Sequence, residues 1–270
     1  MPFRPLVPIL ILAAALLAVP ANAQRSSTQN VGPAISPVDR AMARGDAAYA
    51  RLDNQAAVAA YDEALSLATA PYSFDLLARV ARALNDYGLD LVAANRDAEG
   101  ERVLTRATEL SEELTRRFST RAESWFLLAA SYGNLSLYKG GREKVRLGRA
   151  VEQHCLEAIR VNPGFSPPYA VLGIFYREVA ELNWLEKTVA NTLFGGIPTG
   201  SYRLSEEMLR KAVSLEPVMP LAHFELGKTL MRAGKPDDAK PFLTQAITMR
   251  PISTLDVRNA KEARRLLGRG

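Results

Sequence analysis

One helix-pair pattern occurs twice between Asn162 and Pro251, and this repeat constrains the fold more than any other feature of the chain. In such a unit a small residue lies where two antiparallel helices cross closely, a later alanine lets the second helix approach, and a proline closes the unit. The second copy starts at Pro220 and has the tetratricopeptide spacing. Its marker residues are Leu226, Gly227, Leu230, Ala239, Leu243, Ala246 and Pro251.

The first copy carries an insertion between its two helices. It opens normally at Tyr169 and Gly173, but its closing Ala212 comes about twenty residues late, and we place the insertion at residues 178–202. Apolar residues four apart continue through it, so we expect the first helix to be prolonged by several turns and to end at 195–198. Ser201 is expected to cap the next helix.

Three further helix pairs are predicted between residues 38 and 163, because the same small and apolar positions recur there. After Pro251, Thr254 or Asp256 is expected to cap a last helix that runs to Leu267 and seals the end of the array. No strand-like alternation of useful length is present. The predicted fold is therefore all-α: a right-handed tetratricopeptide-like solenoid of about five helix pairs plus a C-terminal capping helix, spanning residues 38–270 as one domain.

The first 23 residues have the features of a secretory signal peptide. Arg4 precedes an apolar run from Leu6 to Val19, and Ala21-Asn22-Ala23 matches the small-x-small cleavage pattern. An uncleaved anchor helix is the alternative, but the run is short for a membrane span and contains proline. We therefore expect cleavage after Ala23, a periplasmic product without an integral membrane span, and a flexible leader at residues 24–37.

The composition says little about partners. The chain has 34 Lys and Arg against 29 Asp and Glu, a net charge of +5, which is only mildly basic. Nucleic acid is not an expected partner of an exported protein. The single cysteine, Cys155, cannot form an intramolecular disulfide, and it falls at a repeat position that is apolar in other units, so we expect a buried packing role.

The third unit has about ten extra residues in its middle, and this segment is basic. A solvated loop and helix start would explain it. A site for an anion or an acidic partner is the alternative, since clustered like charge raises the local potential. The residues of this predicted patch are Lys139, Arg142, Lys144, Arg146 and Arg149.

No catalytic or metal-binding constellation is apparent, and no cofactor is expected. The two histidines, His154 and His223, have no metal-ligand spacing to each other or to Cys155. Neighbouring carboxylates such as Glu112 and Glu113 point in different directions on a helix, so they cannot act as an acid/base pair. The sequence therefore predicts a protein that is not an enzyme.

An apolar inner face is the main candidate binding site. In such a solenoid the first helix of each pair lines the concave side, with Arg82, Arg177, Lys228 and Arg232 close to the floor. The groove could hold an apolar ligand with an anionic head, with the insertion as its lid; alternatively, the insertion completes the core. The predicted ligand-binding residues are Phe126, Ala130, Ala170, Ile174, Trp184, Phe194, Phe224 and Met231.

The segment from Trp184 to Tyr202, preceded by a glycine-rich basic loop, resembles the regulator of microtubule dynamics proteins, a tetratricopeptide-like family with bacterial relatives. The resemblance extends from about Ser124 to the C-terminus. It implies a helical repeat domain without catalytic activity and, in one eukaryotic branch, a membrane-contact protein whose repeat domain binds phospholipid. Microtubule binding is not implied, because an exported bacterial protein meets no microtubule.

Together these features predict a scaffold that binds a partner protein or a lipid-like ligand in its concave groove. The extended inner surface of a solenoid suits extended partners. The alternative is a periplasmic accessory component that captures substrate for a transporter.

Overall fold

The computed structural model describes residues 35–193, 196 and 198–268, and this part of the chain is helical throughout, without strands. None of these helices is long and apolar enough to cross a membrane. The helices are α1 (Pro37–Ala50), α2 (Asn54–Leu67), α3 (Phe74–Ala93), α4 (Asp97–Arg117), α5 (Ala122–Leu135), α6 (Gly141–Val161), α7 (Pro167–Glu181), α8 (Trp184–Leu193), α9 (Tyr202–Leu215), α10 (Pro220–Arg232), α11 (Pro236–Thr248) and α12 (Thr254–Leu267), with a 3-10 turn at Ser136–Tyr138.

Ten of these helices form five pairs: α1/α2, α3/α4, α5/α6, α7/α9 and α10/α11. The helices α3, α5, α7, α10 and α12 also contact one another in succession, which makes them the inner row of the solenoid. The second helices of the pairs lie outside this row, against their own partner and the first helix of the next pair. The predicted all-α repeat solenoid with a C-terminal helix is confirmed.

The close helix crossings explain the repeat glycines. A Cβ atom placed on Gly173 would lie 2.4 Å from Cγ of Leu209, and one on Gly227 would lie 2.6 Å from Cγ of Leu243. In the third pair Cys155 on α6 lies at the repeat position that Leu209 and Leu243 have in the later pairs, and it is fully buried. Burial raises the pKa of its thiol well above the usual value, so the residue packs as a small neutral side chain.

The insertion forms a separate helix, so the prediction that α7 continues through it is wrong. Helix α7 ends at Glu181, and α8 begins at Trp184. Asn183 Oδ1 accepts a hydrogen bond from the backbone N–H of Glu186 at 2.9 Å, and the Glu186 carboxylate accepts one from the Asn183 N–H at 2.8 Å. This reciprocal capping box starts a new helix because it satisfies N–H groups that a continuous helix would have used internally.

Two other predicted caps can be checked. The Ser201 hydroxyl accepts a hydrogen bond from the Leu204 N–H at 3.1 Å, so its capping of α9 is confirmed. Helix α12 is capped by Ser253, which forms a capping box with Asp256, whereas Thr254 is already the first helical residue. The N-cap is therefore neither of the two predicted residues, although Asp256 contributes to the capping box from the third helical position.

The last helix returns to the N-terminal half of the molecule. Arg258 Nη1 lies 3.0 Å from Oδ1 of Asp90 near the end of α3, and the Thr254 hydroxyl donates to the same oxygen. Asn54 at the start of α2 donates to the other Asp90 oxygen at 2.7 Å. One carboxylate thus joins α2, α3 and α12. We call the contact between α3 and α12 the seam; it closes the inner row on itself.

Candidate interaction surfaces

The residues predicted to form the groove floor lie in the hydrophobic core. Their side chains pack among the inner helices, and the seam closes that row. Ligand binding there stays a prediction, and it requires the row to open. The exposed fractions are 0% for Phe126, Ala130 and Ala170, 2% for Ile174 and 1% for Phe224, and Met231 packs partly buried against the same core.

Arg177, one of the basic residues near this floor, is paired with carboxylates of the chain itself. Arg177 has a side chain only 1% exposed, and it pairs with Glu225 and, at 3.0 Å, with Glu178. Burial alone would lower the pKa of Arg177, but the two carboxylates outweigh burial and raise it. An anionic ligand head would have to compete with these partners for the guanidinium.

Two residues of the predicted basic patch form ion pairs within the chain. Lys139 Nζ lies 2.6 Å from a carboxylate oxygen of Glu101 on α4, and Arg146 Nη2 lies 2.7 Å from one of Glu143. The hydrogen bond from Arg146 holds the pKa of Glu143 below its usual value. Both residues are therefore paired with carboxylates of the chain itself.

Two other residues of the patch face the insertion instead. Arg149 Nε donates to the carbonyl oxygen of Gly196, just beyond α8, at 2.9 Å. Burial lowers the pKa of Lys144, and the nearby Glu186 carboxylate in the first turn of α8 opposes that shift. Arg142 is exposed about two turns before Arg149 on α6. Arg142, Arg146 and Arg149 thus follow one another at helical spacing on the exposed side of α6. Lys139 precedes that helix, and Lys144 is partly buried.

The insertion helix α8 packs on α6, outside the inner row. Trp184 is 78% exposed and Leu185 is 60% exposed, whereas Ala190 on the opposite side of the helix is buried. Trp184 is therefore neither a lid over the groove floor nor part of the core, the two roles that the sequence suggested. Phe194, the other predicted lid residue, lies outside the described residues.

The chain fixes the start of α8 and packs again on α7 at Gly200. The capping box at Asn183 and Glu186 fixes its start. After α8, a Cβ atom on Gly200 would lie 2.5 Å from Cβ of Val179 and 2.6 Å from the backbone oxygen of Tyr176. The chain just before α9 therefore packs directly on α7. Sequence patterns that record only periodicity miss this arrangement, although the Asn-x-x-Glu spacing at 183–186 signals the helix start.

The two histidines are accounted for by packing. The His154 ring lies between Trp125 and Tyr132, with ring centroids 5.5 and 5.6 Å away, and burial lowers its pKa. His223 Nε2 lies 2.9 Å from the backbone oxygen of Pro217. Within the described ranges, no group of three or more His, Cys, Asp or Glu side chains is arranged to hold a metal ion.

The stacked pairs with glycine crossings define a tetratricopeptide-like repeat protein. The crystal structure of a thermophilic tetratricopeptide-repeat protein from Thermus thermophilus has the same fold: it superposes with a TM-score of 0.63 at 20% sequence identity, covering 85% of this chain and 98% of that one. At this identity the likeness concerns the fold alone.

The particular family follows from the sequence. The family model described as regulator of microtubule dynamics protein 1-3 matches residues 41–269, and the chain belongs to this family. Mouse regulator of microtubule dynamics protein 2 is 26% identical over 204 residues, which are 72% of this chain and 47% of that protein. The bovine protein 1 is 25% identical over 175 residues, 64% of this chain and 54% of the relative. The chain thus spans about half the length of these relatives, and the predicted resemblance is confirmed.

Proposed function

We propose that this protein is a non-enzymatic, exported scaffold that binds a partner protein through helix α8. The supporting observation is the exposure of Trp184 and Leu185, at 78% and 60%, on a helix that the chain caps and anchors. Adjacent large apolar side chains that a stable fold leaves outside its core mark an interaction site. Tryptophan is also frequent among the residues that dominate binding energy at protein interfaces.

Site-specific photo-crosslinking in cells that make the protein tests this function. A photoreactive amino acid at Leu185 should give a discrete adduct with one partner. The matched control is Val218, which is 74% exposed in the turn before α10. No adduct from position 185, or the same adducts from both positions, would contradict the proposal.

Export is part of the proposal and is supported by the signal-like residues 1–23. N-terminal sequencing of the protein recovered from the periplasmic fraction should start at Gln24. Recovery only from the cytoplasmic fraction with Met1 retained would exclude export.

A lipid-like ligand in the inner face is a second candidate function. It is supported by the apolar side chains that this face brings together, among them Phe126, Ile174 and Phe224. Because these are buried, the ligand must enter through an opened seam. Organic extracts of natively purified protein should then contain lipid, and an Asp90→Ala variant should take up a fluorescent fatty acid more readily. Empty extracts and no uptake by either protein would exclude this function. A role beside a transporter stays a prediction from the sequence.

A further inference from the structure

We propose that the seam between α3 and α12 is a proton-controlled latch, which is closed while Asp86 is neutral and loosens when Asp86 ionises. The latch consists of Asp86 and Asp90 on α3 and of Asp256 and Arg258 on α12. The inference goes beyond the proposed function and does not depend on a partner at α8.

Three carboxyl groups meet at the seam. Asp86 and Asp90 lie four residues apart on α3, so their side chains are neighbours on one face of that helix. Asp256, in the first turn of α12, is close enough for its charge to act on the Asp86 carboxyl. Asp86 is 3% exposed and Asp256 is 4% exposed. Two carboxyl groups from different helices are thus buried together where the inner row closes.

Burial is the main reason why Asp86 keeps its proton. It raises the pKa of the carboxyl to about 7, and the charges of Asp90 and Asp256 raise the pKa further. The hydrogen bond from the Tyr49 hydroxyl and the charge of Arg82 oppose that rise. The groups that favour a charged Asp86 therefore come from α1 and α3, whereas α12 brings a group that disfavours it.

The contact with α1 suits both charge states of Asp86. The Tyr49 hydroxyl on α1 donates a hydrogen bond to Asp86 Oδ2, and burial keeps this hydroxyl protonated because it raises the pKa of Tyr49 well above the usual value. The guanidinium carbon of Arg82, one turn before Asp86 on α3, lies 4.2 Å from the centre of the Tyr49 ring. Beyond them, Tyr61 on α2 donates to Asp46 on α1 at 2.7 Å.

The contact with α12 suits only a neutral Asp86. Arg258 on α12 pairs with Asp90 at 3.0 Å, and the two charges largely offset each other. The charge that α12 adds opposite Asp86 is therefore that of Asp256. Hydrogen bonds with Ser253 in the capping box hold the Asp256 side chain in place, so it cannot turn away while α12 stays docked.

The other two helices that pack on α3 meet it through different groups. Helix α5 meets α3 at the uncharged side chains of Ser131 and Asn85, which are hydrogen-bonded at 2.8 Å. Helix α4 brings Glu99 near α3, and this carboxylate pairs with Arg96. The balance of charge at Asp86 is therefore set by α1, by α3 itself and by α12.

Ionisation of Asp86 therefore acts on the seam. A buried carboxylate that faces Asp256 without water is unfavourable. Moving α12 away removes Asp256 and lets water reach Asp86, whereas moving α1 away would break the Tyr49 hydrogen bond that the carboxylate needs. On the buried side of α12, Asn259 Nδ2 also has no hydrogen-bond partner in the part of the chain that the structure describes. Such a group makes the closed form less favourable.

The direction of the pH effect follows from the raised pKa of Asp86. A carboxyl whose pKa is higher in the closed than in the opened form stabilises the closed form fully below about pH 4. This stabilisation is lost as the pH rises to about 7, by up to about tenfold in the opening equilibrium for each pH unit. The latch is therefore closed in acid and loosest at pH 7 and above.

Hydrogen exchange of the purified protein, measured by mass spectrometry, tests the latch. The exchange rate of the α12 amides is divided by the rate in Asp86→Asn at the same pH, which cancels the effect of pH on the exchange chemistry. This ratio should rise at least about tenfold between pH 5 and pH 7.5, because only the parent protein gains a charge at the seam.

Low concentrations of urea distinguish local opening from global unfolding. The α12 amides should exchange faster than those of α5 at both pH values. Urea below the unfolding transition should leave the α12 rates nearly unchanged, because a local opening exposes little surface, whereas amides that exchange through global unfolding should respond to it.

Two further variants make the test specific. Asp237→Asn is the same chemical change at a side chain that is 90% exposed, and its ratio to the parent should not vary with pH. Asp256→Asn keeps an oxygen that can accept the Ser253 N–H and removes the charge opposite Asp86. The ratio of the parent to this variant should rise several-fold with pH, so the latch can be tested even if Asp86→Asn does not fold.

A ratio that stays constant with pH for both Asp86→Asn and Asp256→Asn would overturn the latch. An equal rise with Asp237→Asn would overturn it too, and so would α12 amides that exchange only at the rate of α5 and with the same response to urea. Crosslinking at position 185 enters none of these outcomes. Failure of the latch therefore leaves the proposed function standing, and failure of the crosslinking experiment leaves the latch standing.

Discussion

Large apolar side chains are buried on the inner face but exposed at the start of the insertion helix α8. Phe126 and Phe224 on the inner helices are at most 1% exposed, whereas Trp184 and Leu185 on α8 are more than half exposed. The inner residues belong to the repeat, whose first helices stack in a row and bury one another. Helix α8 belongs to no pair and contacts mainly the outside of α6. Apolar residues within the repeat register thus stabilise this fold, whereas Trp184 and Leu185 at the start of α8 are exposed and available for contacts outside it.

The largest expected effect comes from filling a helix crossing. Gly173→Leu should destabilise the protein by about 3 kcal/mol or more, because even its Cβ would overlap Leu209 and the pair α7/α9 would have to separate. The midpoint of thermal unfolding should fall by about 8 °C or more, or the variant should fail to fold. Gly140→Leu is the control, since a Cβ there meets nothing within 4 Å. Equal melting of both variants would show that the assigned register is wrong.

The second prediction contrasts the two regions directly. Phe126→Ala should cost about 3 to 5 kcal/mol, because it removes a fully buried aromatic side chain and leaves a cavity. Trp184→Ala should change stability by no more than about 0.5 kcal/mol, because its side chain is mostly exposed. Urea denaturation of both variants measures the difference. A large loss of stability in Trp184→Ala would place α8 in the core and weaken the case for a docking surface.

The repeat pattern predicted the helix pairs because Gly173 and Gly227 are each needed where the two helices of one repeat unit cross closely. It did not predict the seam, because Asp90 and Arg258 lie 168 positions apart and meet only through the curvature of the stacked pairs. The burial of Phe126 and Phe224 has the same cause. The separate helix α8 could have been found from Asn183 and Glu186, whose capping-box spacing outweighs the apolar period that continues through it.

A third prediction concerns the pH dependence of the inner region. Burial raises the pKa of the Asp86 carboxyl to about 7, although the hydrogen bond from Tyr49 on α1 and the charge of Arg82 on α3 lower it; Asp90 on α3 and Asp256 on α12 raise it further. A carboxyl whose folded pKa lies above its unfolded value contributes stability that is fully present below about pH 4 and is lost as the pH rises through 7.

Relative to an Asp86→Asn variant, the parent protein should therefore lose about 2 kcal/mol of unfolding free energy between about pH 5 and pH 7.5. The comparison with the variant cancels other titrating groups, such as His154. Chemical denaturation of both proteins across this range measures the difference. Parallel pH profiles would show that Asp86 carries its charge in the folded protein, with Arg82 compensating for burial.

A smaller loss of stability than at the buried core is expected at the seam. Asp90→Ala removes the acceptor for Arg258, Thr254 and Asn54, but the Asp90 side chain is 27% exposed and solvent screens its ion pair, so we expect a loss of about 1 kcal/mol. Hydrogen exchange at the α12 amides should become faster, while exchange within α5 and α7 stays unchanged. The control is Asp237→Ala, whose side chain is 90% exposed and pairs with Lys240 in the same helix.

Unchanged protection of α12 in Asp90→Ala would mean that packing on α10 and α11 alone keeps the inner row closed, and the route proposed for a lipid-like ligand would then be absent. Faster exchange confined to α12 would instead show that opening the seam costs less free energy than separating a helix pair. Separating the helix pairs at the Gly173 and Gly227 crossings would cost several kcal/mol, whereas opening the seam would cost far less. The inner face could then be reached without unfolding a single pair, and α8 would remain on α6 in both the closed and the opened form, because it packs on α6 and not on the two helices that form the seam.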